Sequence, residues 1–267
     1  MPLTPFQTAV LAVLAANRSE ESHFAGGLVL NAASDSARFS HDFDIFHEAA
    51  AEVTRASLAD SASLRTAGFG VEPLGTGWEK DTTFRKARVS RDADTVEVDW
   101  AADSAFRHFP IVRDPLLGWR LHLFDMATNK ALALASRTVT RDYVDIVELA
   151  KIFPLPAIVW AAVGKDPGFS PLSLLEMMRR FARIDPTELA EIQARRLDPL
   201  ALKQQWTDMA AHAAAEIIRI ADAMPDLPIG IAFTNPAGEP GWIGDDATLT
   251  PHHPCIRGCL PSIVGTP

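Results

Sequence analysis

A chain of 267 residues, 48% of them apolar, can bury one sizeable hydrophobic core and a second, smaller one. Its 25 basic and 34 acidic residues leave a net charge of -9, which excludes a surface coated in positive charge for blanket nucleic-acid binding and permits a local basic cleft. Two cysteines, Cys255 and Cys259, supply no disulfide framework, so free thiols in a reducing, cytoplasmic setting are expected.

The apolar run Ala9 to Ala16 follows no basic residue and is too short to cross a bilayer. It reads as an amphipathic helix entered through Thr4 as N-cap with Pro5 at the first helical position. A turn at Gly26-Gly27, a short helix from about Leu28 and a strand over 42–46 come next. A helical pattern over 53–67 and a short strand in "FGVEPL" follow. "TFRKARVS" and "DTVEVDWAA" alternate in polarity around "RDAD", the pattern of an antiparallel hairpin with a polar turn. From Asp125 the periodicity turns helical, with helices expected over 126–137, 140–153, 155–164, 171–183, 186–194 and 199–224. The Pro- and Gly-rich remainder reads as an irregular tail with short strands in "PIGIAFTN" and "GWIG". The expected organisation is an α+β domain over 1–115, a helical domain over 116–224 and a tail over 225–267.

The stretch "FSHDFDIF" carries the first chemistry. On a strand Asp42 and Asp44 point one way while Phe43 and Ile45 point into a core. Two ionised carboxylates so close repel at low dielectric, and a divalent cation with phosphate oxygens offsets that repulsion. A solvated strand edge satisfies the spacing equally well. Upstream, Gly26 and Gly27 leave backbone N–H groups open before a helix, a weak phosphate signal alone. On the hairpin, Glu97 and Asp99 share one strand face while Val96, Val98 and Trp100 take the other.

Taken together, "AGGLVLNAASDSARFSHDFDIF" resembles the nucleotidyltransferase superfamily, and within it the AbiEii/AbiGii toxin-like branch. The pattern Arg-x-Ser-x-Asp-x-Asp falls on Arg38, Ser40, Asp42 and Asp44, and Leu28 stands where the pattern has a hydroxyl residue after Gly-Gly. The resemblance implies a nucleotidyltransferase-like mixed sheet with flanking helices, followed by a helical domain. It implies Mg²⁺ or Mn²⁺ held by Asp42, Asp44 and a third carboxylate, for which Asp99 is chosen over Glu97. Gly26, Gly27 and Ser40 would bind the nucleotide.

"FDMATNKALALASRTVTRDYVDIVELAKIF" is the second informative segment. Asp125 with Thr128 looks like a helix start, Asp125 serving as N-cap. Lys130, Arg137, Arg141, Asp142 and Asp145 sit at helical spacings that fit surface ion pairs. The order Asp125, Lys130, Ala133, Leu134, Arg137, Arg141, Asp142, Asp145, Ile146 also matches the helical motif of the AbiEii-like family. That match implies that Lys130 and Arg137 face the nucleotide while Asp142 and Asp145 fix the helix and its basic side chains.

The reaction so implied moves a nucleoside monophosphate from a nucleoside triphosphate to an acceptor hydroxyl, with RNA (tRNA) as acceptor and an antitoxin protein as partner. A non-catalytic nucleotide-binding protein and an antibiotic-modifying nucleotidyltransferase are the alternatives. "HHPCIRGC" brings His252, His253, Cys255 and Cys259 together, though not at the spacing of a zinc finger. Arg85, Lys86, Arg88, Arg91 and, further on, Arg179, Arg180 and Arg183 offer basic stretches that fit ordinary solvated charge or an RNA path. Nucleophile-elbow, Rossmann and Walker motifs are absent.

Overall fold

The computed structural model describes residues 3–31, 36, 38, 40, 42–76, 78–137, 139–181, 186–192, 198–246 and 248–261. Arg183, one of the basic residues singled out above, lies outside them. The chain forms two compact units: Met1–Ala105 with Ile111–His122, and Phe106–Pro110 with Leu123–Pro267.

The first unit is α+β. Helix α1 (Pro5–Ala16) opens with a capping box, in which the Thr4 side chain accepts from the Gln7 N–H and the Gln7 side chain accepts from the Thr4 N–H. After it come β1 (Ser22–Ala25), α2 (Gly26–Asn31), β2 (Asp42–His47), α3 (Ala50–Thr66), β3 (Gly70–Leu74), β4 (Phe84–Arg91) and β5 (Asp94–Ala102). Strand β6 (Phe106–Arg107) belongs to the second unit, and β7 (Val112–Asp114) and β8 (Gly118–Arg120) return to the first.

The first unit's strands form one mixed sheet in the order β3-β4-β5-β2-β1-β8-β7. Strands β2 and β5 run parallel, as do β1 and β8, and the β4–β5 hairpin is antiparallel. Alternation decides which face is buried. Phe43, Ile45, Ala87, Val89, Val96, Val98 and Trp100 form a core with Phe6, Val10, Leu11 and Leu14 of α1 and with Val53 and Leu64 of α3. Within it Asp60 accepts from Arg18 at 2.5 Å and from the Trp100 indole at 2.7 Å, joining α3 to the end of α1 and to β5. Burial presses the Arg18 guanidinium's pKa down, while the charge of Asp60 and its hydrogen bond push the other way. Losing either partner would strand a buried charge.

The second unit is helical: α4 (Leu123–Ser136), α5 (Thr140–Leu149), α6 (Leu155–Ala162), α7 (Pro171–Phe181), α8 (Pro186–Glu191) and α9 (Pro199–Ala223). All of α6 is buried, which suits its wholly apolar sequence. Asp198 caps α9 by accepting from the Leu200 and Ala201 N–H groups, with Pro199 at the first position.

Residues past Met224 join this helical unit instead of standing apart as a tail. Strands β9 (Ala232–Thr234), β10 (Pro240–Gly241) and β11 (Thr250–His252) form a small sheet, and β12 (Cys255–Ile256) pairs with β6. The physical reason is aromatic: Trp242 is buried against Trp160 of α6 and Phe233 of β9. Backbone contact adds to it, since a side chain at Gly164 would land 2.2 Å from the Gly230 carbonyl oxygen.

Cys255 and Cys259 are joined in a disulfide, which corrects the expectation of two free thiols. His252 is buried, stacks on Phe109 and bonds through Nε2 to the His108 carbonyl at 2.7 Å. "HHPCIRGC" is therefore a clasp on the Phe106–Pro110 segment, and its sulfurs are already committed to each other.

Candidate active site

The parallel pairing of β2 with β5 sets Asp42 opposite Glu97 and Asp44 opposite Asp99. All four carboxylates share the face away from the core, because Phe43, Ile45, Val98 and Trp100 take the other. The hairpin adds β4, whose Lys86 lies opposite Asp99 and whose Arg88 lies opposite Glu97. Two charged rungs thus cross three strands, Lys86–Asp99–Asp44 and Arg88–Glu97–Asp42.

Lys86 Nζ donates to Glu97 Oε2 at 3.0 Å and lies 3.2 Å from Asp99 Oδ1. Arg88 reaches Glu72 at 3.3 Å and Glu97 at 3.8 Å. Asp99 is half-buried, and burial raises its carboxyl above the usual range, with the Asp42 and Glu97 charges adding to the effect and Lys86 opposing it. Burial acts to lower the Lys86 pKa, but its hydrogen bond to Glu97 and the Asp99 charge outweigh that and raise it.

The Gly pair meets this face. Gly26 adopts φ 63°, a conformation glycine takes freely, and a Cβ there would sit 1.8 Å from Asp44 Oδ2. A Cβ on Gly27 would meet Arg38 Nη2 at 2.8 Å and Ser40 Oγ at 3.0 Å. Ser40 Oγ donates toward Asp42 Oδ1 at 3.2 Å, and its carbonyl accepts from Gln7 Nε2 at 3.2 Å. Gly26, Gly27, Arg38, Ser40, Asp42, Asp44 and Asp99 are therefore assembled in one place by β1, α2, β2 and β5. Leu28 turns wholly into the core among residues such as Phe24 and Phe43, so the hydroxyl beside the glycines is Ser40's.

Among the described residues no three His, Cys, Asp or Glu side chains converge tightly enough to hold a metal ion. The donor set still fits one. Asp44 and Asp99 face each other on adjacent strands, and Asp99 Oδ1 is buried with the Lys86 ammonium 3.2 Å away. Carboxylate oxygens are the ligands that Mg²⁺ and Mn²⁺ favour.

The second motif lies in the helical unit. Lys130 of α4 reaches Asp142 at 2.8 Å and Asp145 at 2.9 Å, both on α5, and Arg137 reaches the other oxygen of Asp142 at 2.7 Å. Burial raises the Asp142 carboxyl's pKa, but Lys130 and Arg137 outweigh it and hold the carboxyl below its ordinary range. The Lys130 ammonium is raised overall, since the two aspartates overcome the cost of its burial.

Asp125 does not cap a helix, because α4 begins two residues earlier, at Leu123. It is fully buried instead, accepting from the His108 and Phe109 N–H groups at 2.8 Å each and pairing with Lys165 at 2.8 Å. Burial works to raise its pKa, and Lys165 with His108 lowers it overall.

Comparison with known proteins places the chain. Residues 11–223 match the family model described as "Nucleotidyl transferase AbiEii toxin, Type IV TA system". The chain belongs to the AbiEii nucleotidyl transferase toxin family. Its activity class is accordingly nucleotidyl transfer within a toxin–antitoxin system.

Among solved structures it resembles MenT4, a nucleotidyltransferase toxin of Mycobacterium tuberculosis, at 18% identity and a TM-score of 0.56, over 81% of this chain and 85% of that one. It also resembles JHP933 from Helicobacter pylori at 16% identity and a TM-score of 0.50, over 81% of this chain and 92% of the other. At those identities the two likenesses speak for the fold, a mixed sheet with flanking helices. No curated protein matches the chain. Among the described residues no helix is long and apolar enough to cross a membrane.

The basic stretch on β4 looks different once folded. Arg85 is buried on the core side, stacked on Trp78 and donating to the Trp78 and Lys80 carbonyls, and Arg91 stacks on Phe69. The sequence alone did not single out the contacts of Lys86 with Glu97 and Asp99. The signal was present: a hairpin closed by Arg91 and Asp94 puts Lys86 opposite Asp99.

Proposed function

We propose that this AbiEii-family chain uses the carboxylate face of β2 and β5 to transfer a nucleoside monophosphate from a triphosphate to an RNA hydroxyl, tRNA being the acceptor that the family resemblance implies. The observation that carries the reading is the register that sets Asp44 opposite Asp99 beneath Gly26. Asp42, Asp44 and Asp99 would hold Mg²⁺ or Mn²⁺. Bound there, the cation would polarise the α-phosphate and stabilise charge on the attacking and leaving oxygens.

The residues of the chain do the rest. Asp99, with its raised carboxyl, takes the proton from the acceptor hydroxyl. That oxygen attacks the α-phosphorus in line, and the bond to pyrophosphate breaks. Gly26 and Gly27 let the triphosphate approach the backbone, Arg38 supplies a guanidinium over Gly27, and Ser40 holds Asp42 in place. The family resemblance implies that Lys130 and Arg137, which pair with Asp142 and Asp145 in the helical unit, would also contact the nucleotide. An antitoxin partner and a cytoplasmic site of action complete the proposal.

The test incubates purified protein with each of four α-labelled triphosphates, Mg²⁺ or Mn²⁺, total RNA and total protein. Label entering RNA, and its loss with EDTA, is the expected result. Label entering protein alone, or transfer indifferent to EDTA, would refute the reading.

A further inference from the structure

Lys86 stands in an unusual position for a surface lysine. It projects from β4 onto the same face as Asp42, Asp44, Glu97 and Asp99, and it touches two of those four acids. The two contacts are unequal. To Glu97 it makes a hydrogen bond of 3.0 Å, whereas at Asp99 Oδ1 the 3.2 Å approach is an ion pair outside hydrogen-bond geometry. Glu97 in turn has a second cation, Arg88, while Asp99 is opposite Asp44. The ammonium therefore bridges Glu97 and the carboxylate that the proposed reaction needs, and it can release one while it keeps the other.

We propose that Lys86 is a tethered counter-cation, which steadies Asp99 while no divalent ion is bound and yields it when one binds, keeping a hold on Glu97. The inference rests on the carboxylate-face reading above and makes Lys86 a positioning residue acting through Asp99. Like charges on neighbouring rungs repel, and an ammonium on a flexible side chain anchored to a fixed strand relieves that repulsion without filling the place of the metal. It also competes with the metal, both for Asp99 and by charge. Removing the ammonium should tighten divalent binding on the order of tenfold, from one unit charge a few ångströms away in a partly solvated site.

The experiment titrates Mn²⁺ alone into the full chain, reading free Mn²⁺ by electron paramagnetic resonance, and records thermal unfolding in EDTA and in Mn²⁺. Lys86→Met should bind Mn²⁺ roughly tenfold more tightly than wild type, should unfold at a lower temperature in EDTA, and should gain more from Mn²⁺. Lys86→Arg, which keeps the charge, should stay near the wild-type affinity. A plain cross-strand brace would instead lower the melting temperature equally with and without Mn²⁺ and leave the affinity unchanged, and that result overturns the proposal. Lys86→Gln serves as a second neutral variant should Lys86→Met fold poorly, with the same outcomes expected. Asp44→Asn separates the two levels of argument. If wild type binds Mn²⁺ and Asp44→Asn abolishes it while Lys86→Met changes nothing, only the role of Lys86 falls. If wild type binds no Mn²⁺ that depends on Asp44, the carboxylate-face reading falls and takes Lys86 with it.

Discussion

The carboxylate face of the sheet and the ion network of the helical unit use the same residue types to opposite ends. In the helical unit Lys130 meets Asp142 and Asp145, Arg137 meets Asp142, and Lys165 meets Asp125, each acid being almost completely buried and directly paired. On the sheet, Asp42 lies opposite Glu97 and Asp44 opposite Asp99, acid against acid, with Lys86 and Arg88 of the next strand reaching Glu97 and Asp99. Matched, buried charges hold a fold together only while both partners remain. Neighbouring acids kept near solvent cost stability, and local conflicts of that kind are expected at functional sites.

Breaking the network should therefore have the largest effect on stability. Asp142→Ala removes one of the two aspartates that hold Lys130 and a charge partner of Arg137, and should cost about 3–4 kcal/mol in chemical denaturation. A loss below about 1 kcal/mol would mean that the network is not a structural unit. Next comes acid sensitivity. His108 is fully buried beside Asp125, Lys165 and His252, and burial foremost, with the Lys165 and His252 charges adding, lowers its pKa from 6.5 to about 4 although Asp125 opposes the shift. In that window the unfolded chain binds the proton and the folded one does not, so stability falls as pH drops from 6.5 toward 4, by about 2–3 kcal/mol. His47, also lowered to about 4 by burial, adds to the slope from the first unit. Denaturant midpoints measured across this range should flatten in His108→Gln, and an unchanged slope would contradict the assignment.

The sheet face should answer in the other direction. Asp44→Asn removes one of two facing acids and should leave stability unchanged or raise it by up to about 1 kcal/mol, checked by the same denaturation. The smallest effect belongs to Arg88→Ala. Its contacts to Glu72 and Glu97 are solvent-screened, and the change should stay within about 0.5 kcal/mol.

Much of this architecture was written in local sequence. Thr4-Pro5 announced α1, the apolar period over 199–224 announced α9, and "RDAD" between alternating stretches announced the hairpin. The Asp42/Asp44 pair and the Asp99 strand were readable because strand alternation is a local rule. What escaped was non-local. Nothing near Asp125 in sequence reveals that its partners are the His108 and Phe109 amides and Lys165, so a helix cap was the natural expectation. The packing of Trp242 on Trp160 likewise depends on residues far apart in the chain, which is why the C-terminal segment read as a tail. Leu28, which stands where the family pattern has a hydroxyl residue, proves to be fully buried in the core, a placement that depends on distant residues.

On the proposed reading, Asp44 serves the chemistry more than the fold. The most direct measurement compares wild type and Asp44→Asn for transfer of labelled nucleotide to RNA, alongside their melting temperatures. The account predicts a loss of at least about a thousandfold in transfer with an unchanged or slightly higher melting temperature. An Asp44→Asn protein that transfers nucleotide within tenfold of wild type, or that melts far below it, would contradict the account.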